Sequence, residues 1–242
     1  MTIALILASL VLLVLFGVLT WHALNDFSYL GGAGVRHSYS WGARCYDGKW
    51  RSPSYQNAAQ TRQLLAPLLE QAGGDPAAVV VDLACGTGRF TRLMLAEEEF
   101  RGKIIAVDFA PGMLRELRRV LQEMPPAAQS RVEIQEQDVR QWRPAAESLQ
   151  AVALLEAAEI IHPLGPTLEA IFVGLQPGGL LLTTVVGNGF GWLFPGRRQA
   201  RAEFSDWLAE IGFVEIQRHP WRRRYDWLLA RKPLPPARSH PP

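Results

Sequence analysis

The stretch VVVDLACGTGRF, residues 79–90, decides the fold of this 242-residue chain. Its apolar start predicts a buried strand that runs into Asp82, and the chain then turns through Gly86 and Gly88. Glycine adopts backbone dihedrals that other residues avoid, and it lets a ligand approach the backbone closely. The free N–H groups at the start of the following helix favour a carboxylate or a phosphate. The segment therefore predicts a nucleotide-binding turn, in which Asp82 organises the loop or binds an ammonium group through ordered water.

A second carboxylate follows the turn by about twenty residues, the spacing at which dinucleotide folds place a ribose ligand. The predicted strand KIIAVD ends at Asp108, which can accept hydrogen bonds from both hydroxyls of a ribose. A dinucleotide-binding GxGxxG pattern would place its third glycine where this chain has Thr91. Because that glycine allows close helix–strand packing beneath a pyrophosphate, its absence argues against NAD or FAD.

From residue 78 onward, apolar strands alternate with helical stretches, which is typical of a parallel sheet covered on both faces. The predicted strands are 78–84, 103–108, 131–137, 150–155, 179–185, 213–219 and 225–231. The predicted helices are 54–72, with a kink or interruption at Pro67, then 89–98, 111–123, 165–175 and 199–211. The fold class is therefore α/β: a Rossmann-like, doubly wound, mostly parallel seven-stranded sheet with a C-terminal antiparallel hairpin.

The N-terminus is almost unbroken apolar sequence over residues 3–21, and the first charged residue is Asp26. About twenty such residues span a bilayer core as a helix. A cleaved signal peptide is the main alternative, but it normally begins with basic residues, and none precedes this segment. The nearest basic residues all follow it, at Arg36, Arg44, Lys49 and Arg51. We therefore predict an uncleaved, single-pass transmembrane helix over residues 1–24, with the catalytic domain on the cytoplasmic side.

Composition and spacing set the remaining boundaries. Residues 25–45 mix glycines with aromatic and polar residues and predict a linker, residues 46–232 form the domain, and the proline-rich 233–242 is predicted to be a disordered tail. A net charge of only +2 argues against a nucleic-acid partner. The two cysteines form neither a disulfide framework nor metal-ligand spacing, so no metal is predicted.

Over residues 46–232 the chain resembles the class I, seven-stranded S-adenosylmethionine-dependent methyltransferases of the small-molecule or quinone-type branch. The matching segments follow the family's order: VVVDLACGTGRF, AVDFAPGML, EQDVRQW, LQPGGLLLTT, and FSDWLAEIGFVEIQRH with YDWLLARKP. The resemblance implies S-adenosylmethionine as the cofactor. It also implies a parallel sheet that ends in the antiparallel hairpin already predicted from the strand pattern.

The resemblance assigns cofactor ligands along these segments. The glycine turn would cup the methionine part of the cofactor with Asp82, Ala84, Gly86 and Gly88. Asp108 would hold the ribose, and the residues beside the adenine ring would be Phe109, Met113, Asp138 and Val139. Glu156 occupies the position whose backbone lines the cofactor pocket. Simple core packing is the alternative for Phe109 and Met113, and capping of a turn is the alternative for Asp138.

The fourth strand departs from the family's F-D-x-V pattern, because this chain has Leu-Gln-Ala-Val at 149–152. The following loop, LLEAAEIIHPL, lies beyond the carboxyl end of a strand, where open α/β sheets bind their ligands. His162 is its best candidate for a general base towards an oxygen nucleophile, since an ordinary histidine titrates near neutrality, and Glu159 is the second. A surface histidine before Pro163 is the alternative, and a carbon nucleophile would need little base.

The predicted anchor narrows the range of possible methyl acceptors, because it holds the domain at the bilayer, where lipophilic molecules reside. We expect a small lipophilic acceptor: a quinone-ring precursor, a prenylated phenol or a lipid head group. The segment GFGWLFPGRRQAR, residues 189–201, mixes aromatic residues with arginines and suits either an anionic membrane surface or a lid over the pocket. In YDGKW, Tyr46 would close over the cofactor. A catalytically silent, cofactor-binding membrane scaffold is the alternative function.

Overall fold

Seven strands form one mixed sheet in the computed structural model, which describes residues 2–49, 58–187, 189–197, 199, 203–221 and 224–236. The strands are β1 Val79–Leu83, β2 Lys103–Asp108, β3 Val132–Glu136, β4 Leu149–Leu154, β5 Leu175–Val186, β6 Val214–Pro220 and β7 Tyr225–Arg231. Their order is β3-β2-β1-β4-β5-β7-β6. The first five strands run parallel, and β7 is antiparallel to both of its neighbours. The predicted sheet and its C-terminal hairpin are confirmed.

Helices cover both faces of this sheet. In chain order they are α1 Thr2–Leu24, α2 Gly31–Lys49, α3 Ala58–Ala72, α4 Arg89–Ala96, α5 Pro111–Gln122, α6 Pro126–Gln129, α7 Gly165–Gly174 and α8 Phe204–Ile211. Val80 packs in the core beneath α3, α4 and α5, whereas Val81 packs in the core beneath α7 and α8. Since successive strand side chains point to opposite faces, two-sided burial explains the continuous apolar run of β1.

The largest differences from the predicted elements concern β5, α8 and α3. Strand β5 begins at Leu175 instead of residue 179, because Leu175 pairs with Leu149 before an irregularity in the β4–β5 register. Helix α8 begins at Phe204. Helix α3 continues through Pro67 without interruption, and residues 54–57 of that predicted helix lie outside the described residues.

The prediction of a linker over residues 25–45 is wrong for most of that segment, because α2 occupies Gly31–Lys49. The helix packs on α5 so closely that a Cβ on Gly112 would lie 2.2 Å from the carbonyl oxygen of Ser40. Val35 and Ala43 are buried in this contact region. Glycine disfavours helices locally, but tertiary packing of this kind overrides weak intrinsic propensity. The segment is therefore part of the structure around the carboxyl ends of the strands.

Helix α1 is long and apolar enough to cross a membrane. Its segment Leu5–Leu24 covers 20 residues with a mean hydropathy of 2.3, and none of that segment is buried against the rest of the chain. A signal sequence has the same properties. At its C-terminal end, Arg224 Nη2 donates a hydrogen bond to the Leu24 carbonyl at 2.9 Å. Among the described contacts, those between this helix and the domain lie at the C-terminal end of the helix. Of the predicted tail, residues 237–242 lie outside the described residues.

Candidate functional site

Asp82, at the end of β1, organises the glycine turn. Its carboxylate Oδ2 accepts hydrogen bonds from Thr91 Oγ1 at 2.6 Å and from the Thr91 backbone N–H at 3.1 Å. Burial raises the pKa of Asp82 to about 7, while both bonds from Thr91 oppose this rise. Thr91, at the position of the third glycine, therefore joins the start of α4 to the end of β1. Of the two roles predicted for Asp82, these contacts support the organisation of the loop.

The turn requires glycine for two different reasons. Gly86 has a φ of +55° and no atom within 4 Å of the place where a Cβ would lie, so the space beside it is open. Gly88 has a φ of +76°, and a Cβ there would lie 2.3 Å from Leu117 Cδ1 of α5. Ala84 adopts the same left-handed region at +58°. A ligand can therefore approach the backbone at Gly86, while Gly88 allows α5 to pack against the turn.

Asp108, at the end of β2, joins that strand to the turn. Its Oδ2 accepts a hydrogen bond from the Gly86 N–H at 2.8 Å, and its Oδ1 accepts one from the Ala110 N–H at 2.8 Å. Burial raises the pKa of Asp108, and these backbone bonds oppose the rise. A carboxylate has about four acceptor positions, so these backbone bonds do not use all of them and capacity remains for a hydroxyl donor.

A cavity of about 460 Å³ lies at the carboxyl ends of the parallel strands, where open α/β sheets bind ligands. The volume is typical of small-molecule sites. Of the predicted residues, the cavity wall brings together Ala84, Asp108, Phe109, Asp138, Val139 and His162. Those that do not line it are Asp82, Gly86, Gly88, Met113, Glu156 and Glu159.

The residues predicted around the adenine ring fall into two groups. Asp138 is held by Arg140, whose Nε lies 3.0 Å from Asp138 Oδ1, and this pairing lowers the pKa of Asp138. Val139 is buried in the cavity wall beside it. Met113 is fully buried in a cluster with Ala43, on α2, so core packing is the role with observed contacts.

The two predicted general bases have contrasting environments. His162 is exposed at the cavity, and desolvation together with the positive charges of Arg197 and Arg140 lowers its pKa. A neutral imidazole at pH 7 can accept a proton. Glu159 is 1% exposed, and its Oε1 accepts a hydrogen bond from the Tyr225 hydroxyl. Burial raises the pKa of Glu159 to about 7, but Glu159 is not among the residues that line the cavity.

Helix α2 and the turn before it supply site residues that sequence reasoning missed. Tyr29, Val35 and Tyr39 line the cavity, and the Tyr39 hydroxyl hydrogen-bonds to Asp26. Burial raises the pKa of Asp26 to about 6, against the lowering effect of Arg224. The aromatic residues among the glycines of 25–45 are a signal that could have indicated packing, since solvated linkers contain few aromatic residues.

The C-terminal part of α2 closes over the start of α4. Asp47 Oδ1 accepts a hydrogen bond from Thr87 Oγ1 at 2.7 Å, and Asp47 Oδ2 pairs with Arg92 Nη2 at 2.9 Å. Arg89 lies 3.4 Å from the same carboxylate and stacks over the Tyr46 ring at 5.0 Å. The helix thus contacts the glycine turn at one end and the cavity at the other.

The segment after β5 packs on the domain over its described part. Phe194 and Leu193 are buried against Val186 and Tyr225, and Arg197 is 5% exposed, while Trp192 is 66% exposed. Of the two roles predicted for this segment, a membrane-surface contact and a lid over the pocket, these contacts support the lid. Arg198 and Arg201, also predicted at a membrane surface, lie outside the described residues.

Comparisons with known proteins agree with this geometry. Residues 80–179 match the family described as a methyltransferase domain. The chain is 31% identical over 166 residues to trans-aconitate 2-methyltransferase of Azoarcus sp. strain BH72, a match that covers 67% of this chain and 59% of that protein. The chain therefore spans about three fifths of the length of this curated relative.

Solved structures share the fold. A S-adenosyl-L-methionine-dependent methyltransferase structure from Methanococcus maripaludis has a TM-score of 0.60 at 16% identity, covering 82% of this chain and 95% of that one. The 1,6-didemethyltoxoflavin-N1-methyltransferase of Burkholderia thailandensis, solved with its substrate and S-adenosylhomocysteine, has a TM-score of 0.59 at 23% identity. That match covers 82% of this chain and 87% of the Burkholderia protein. This chain therefore carries a class I S-adenosylmethionine-dependent methyltransferase domain, and S-adenosylmethionine is the cofactor of that domain.

Proposed function

We propose that the whole chain is a membrane-anchored methyltransferase that uses S-adenosylmethionine to methylate a small lipophilic acceptor. The observation that supports it best is the cavity beside the glycine turn, which brings Asp108 and Asp138 into the same wall as His162. A fold alone does not establish activity, so the proposal rests on this arrangement of residues. The named acceptors of the relatives, trans-aconitate and 1,6-didemethyltoxoflavin, are small molecules, which favours an acceptor of that size.

The residues that line the cavity fit the cofactor. Asp108 has acceptor positions left for the ribose hydroxyls, and the wall beside Phe109, Asp138 and Val139 suits the adenine. The open backbone at Gly86 admits the methionine part. When bound, S-adenosylmethionine supplies a methyl group on a sulfonium, which already activates it for displacement. The protein then has to align the acceptor and exclude water.

His162 is the proposed proton acceptor for an oxygen or nitrogen nucleophile. Its lowered pKa keeps the imidazole neutral at pH 7, and its position on the cavity wall gives it access to an acceptor. Glu159 is buried, does not line the cavity and accepts a hydrogen bond from Tyr225, so we propose that it positions Tyr225 and does not itself take the proton.

The lipophilic acceptor follows from the proposed anchor. The segment Leu5–Leu24 is predominantly apolar and none of it is buried against the rest of the chain, which suits a helix surrounded by lipid. Basic residues follow the helix at Arg36, Arg44, Lys49 and Arg51, so we propose that the domain faces the cytoplasm. A membrane-anchored enzyme meets its acceptor at the bilayer surface, and apolar side chains such as Val35, Ile160 and Ile161 line part of the cavity.

Two experiments test the proposal. Full-length chain in lipid nanodiscs is incubated with methyl-labelled S-adenosylmethionine and a lipid extract of the native cell, and label should appear in an extractable lipophilic product. Cofactor binding without any labelled product would support the scaffold alternative. For the anchor, alkaline extraction should leave the chain in the membrane fraction, and the double variant Leu12→Arg/Leu13→Arg should release it. A wild-type chain that is released, or shortened by loss of this segment, would contradict the anchor.

A further inference from the structure

Arg197 is a buried cation in the wall of the cavity. It lines the wall and is 5% exposed. Its guanidinium lies over the Tyr29 ring, 5.0 Å from the centroid, and its Nη2 is 3.4 Å from the Ser28 carbonyl. Its Nε and Nη1 are buried and have no hydrogen-bond partner among the described residues.

The charge of Arg197 is not compensated within the described part of the chain. Arg140 pairs with Asp138 and Arg218 pairs with Asp226, whereas Arg197 forms no ion pair with any described carboxylate. Every Asp and Glu of the sequence lies in that part. Arginine cannot escape the penalty by losing its proton, and a buried unpaired charge is strongly unfavourable. An anion from outside the described part of the chain would compensate this charge.

The surroundings indicate the shape of that anion. The guanidinium binds carboxylate or phosphate oxygens through charge-assisted hydrogen bonds, and Nε and Nη1, on different edges of the planar group, are two donors left for such oxygens. The same cavity wall includes the apolar side chains of Val35, Ala157, Ile160 and Ile161. His162 is close enough for its pKa to be lowered by Arg197. An acceptor bound by Arg197 would therefore lie against the proposed base.

We propose that Arg197 binds a carboxylate or phosphate group of the methyl acceptor, so that the acceptor is an amphiphilic acid with its charged end inside the cavity. This inference rests on the proposed function for the apolar part of the acceptor. The anion site itself depends only on Arg197 and its buried, unpaired nitrogens. It adds an acidic group to the lipophilic acceptor inferred from the anchor.

The test measures binding of matched probes to full-length chain in nanodiscs at pH 7.5 with saturating S-adenosylhomocysteine. The probes are octanoate, octyl phosphate, octanol and propionate, with free concentrations measured in each sample. We expect octanoate or octyl phosphate to bind at least tenfold more tightly than octanol, and the tighter of the two identifies the anion. Arg197→Gln should remove this preference, and Arg197→Lys should keep part of it, since hydrogen bonds to charged groups contribute about tenfold or more.

Arg119→Gln is the matched control, because it removes an arginine charge from the exposed face of α5, where Arg119 pairs with Glu116 and Glu123. The control should bind all four probes like the wild type. Affinity for S-adenosylhomocysteine should stay within about twofold in Arg197→Gln, which also shows that the variant is folded. A loss of that affinity equal to the loss for octanoate would overturn the proposal, because Arg197 would then serve the cofactor.

The probes separate this inference from the proposed function. Equal binding of octanol and octanoate to the wild type would overturn the anion site and leave the lipophilic acceptor standing. Propionate binding as tightly as octanoate, with loss in Arg197→Gln, would support the anion site and contradict the lipophilic acceptor. Equal anion preference in Arg197→Gln and Arg119→Gln would also overturn the assignment to Arg197.

Discussion

The carboxylate of Asp108 accepts a hydrogen bond from the backbone N–H of Gly86 at 2.8 Å, which joins the end of β2 to the turn that follows β1. The same carboxylate lines the cavity. Asp108 therefore fixes the glycine turn and presents its remaining acceptor positions to a ligand. The two roles make it the residue on which the cofactor site most depends.

Replacing Asp108 with Asn should weaken S-adenosylhomocysteine binding by at least tenfold. The amide has about the same size, but it loses the charge-assisted hydrogen bonds to the ribose and to the turn, each of which contributes about 1.5–3 kcal/mol. Isothermal titration calorimetry on the full-length chain measures the change. Asp206→Asn is the control, since Asp206 is an exposed carboxylate in the first turn of α8. Equal affinities in the two variants would refute the ribose assignment.

Alanine substitutions at the two turn glycines should differ in their effect on stability. Both place a Cβ at positive φ, which costs about 1–2 kcal/mol. Only Gly88→Ala also drives a Cβ to within 2.3 Å of Leu117 Cδ1, and overpacking adds about 1–3 kcal/mol. Denaturant unfolding should therefore show the larger loss for Gly88→Ala, while Gly86→Ala serves as its control.

A double variant isolates the contact with Leu117. In the Gly88→Ala background, Leu117→Ala should lower the free energy of unfolding less than it does in the wild type, because the clash is gone. Strict additivity of the two losses would show that Gly88 is needed only for its backbone conformation.

Gly112→Ala should detach α2 from α5. A Cβ there would meet the Ser40 carbonyl oxygen at 2.2 Å, and backbone atoms cannot rotate away as a side chain can. Because Val35 and Tyr39 of α2 line the cavity, cofactor affinity should fall several-fold and amide exchange in α2 should quicken. Gly165→Ala is the control, with its nearest atom at 3.5 Å on Trp207. Unchanged exchange in α2 of Gly112→Ala would contradict the packing described for this helix.

The free energy of unfolding should depend on pH through Glu159. Burial raises its pKa from 4.5 to about 7 in the folded chain, so the folded state binds the proton more tightly than the unfolded state. The stability contributed by the protonated group is therefore present below about pH 4.5 and is lost as the pH rises to about 7. Glu159→Gln should remove this decline, which is roughly 3 kcal/mol at about 1.4 kcal/mol for each unit of the pKa difference.

Denaturant unfolding at several pH values between 4.5 and 7.5 measures the slope. Asp82 titrates over the same pH range in the wild type and in Glu159→Gln. Its contribution to the free energy of unfolding therefore cancels when the two slopes are compared. Glu169→Gln, on the exposed face of α7, should keep the wild-type slope. A slope for Glu159→Gln that matches the Glu169→Gln control would mean that Glu159 is already ionised in the folded chain.

Much of the fold and of the cofactor site could be predicted from the sequence, because both depend on local pattern. Two-sided burial makes β1 a continuous apolar run, and the turn residues Gly86, Gly88 and Asp108 stand at fixed spacing from it. The sequence pattern marks Thr91 only as the absence of a third glycine, yet its hydroxyl donates a hydrogen bond to Asp82. A single residue's role in a turn depends on which side chain folding brings opposite to it.

The acceptor half of the cavity could not be predicted, because contacts between distant segments build it. Tyr29 donates to the Pro195 carbonyl at 2.7 Å across 166 positions of the sequence. Arg197 occurred in a pattern that suits a membrane surface equally well, and only its burial distinguishes a lid residue. The glycines of α2 predicted a linker, since nothing local shows that Gly112 of another helix leaves room for Ser40.

The most direct test of the central claim is an experimental structure of the full-length chain with S-adenosylhomocysteine. The ribose hydroxyls should lie within hydrogen-bonding distance of the Asp108 carboxylate, with the adenine beside Asp138 and Val139 and with α2 over the ligand. A ligand bound elsewhere, or a ribose that makes no contact with Asp108, would contradict the account.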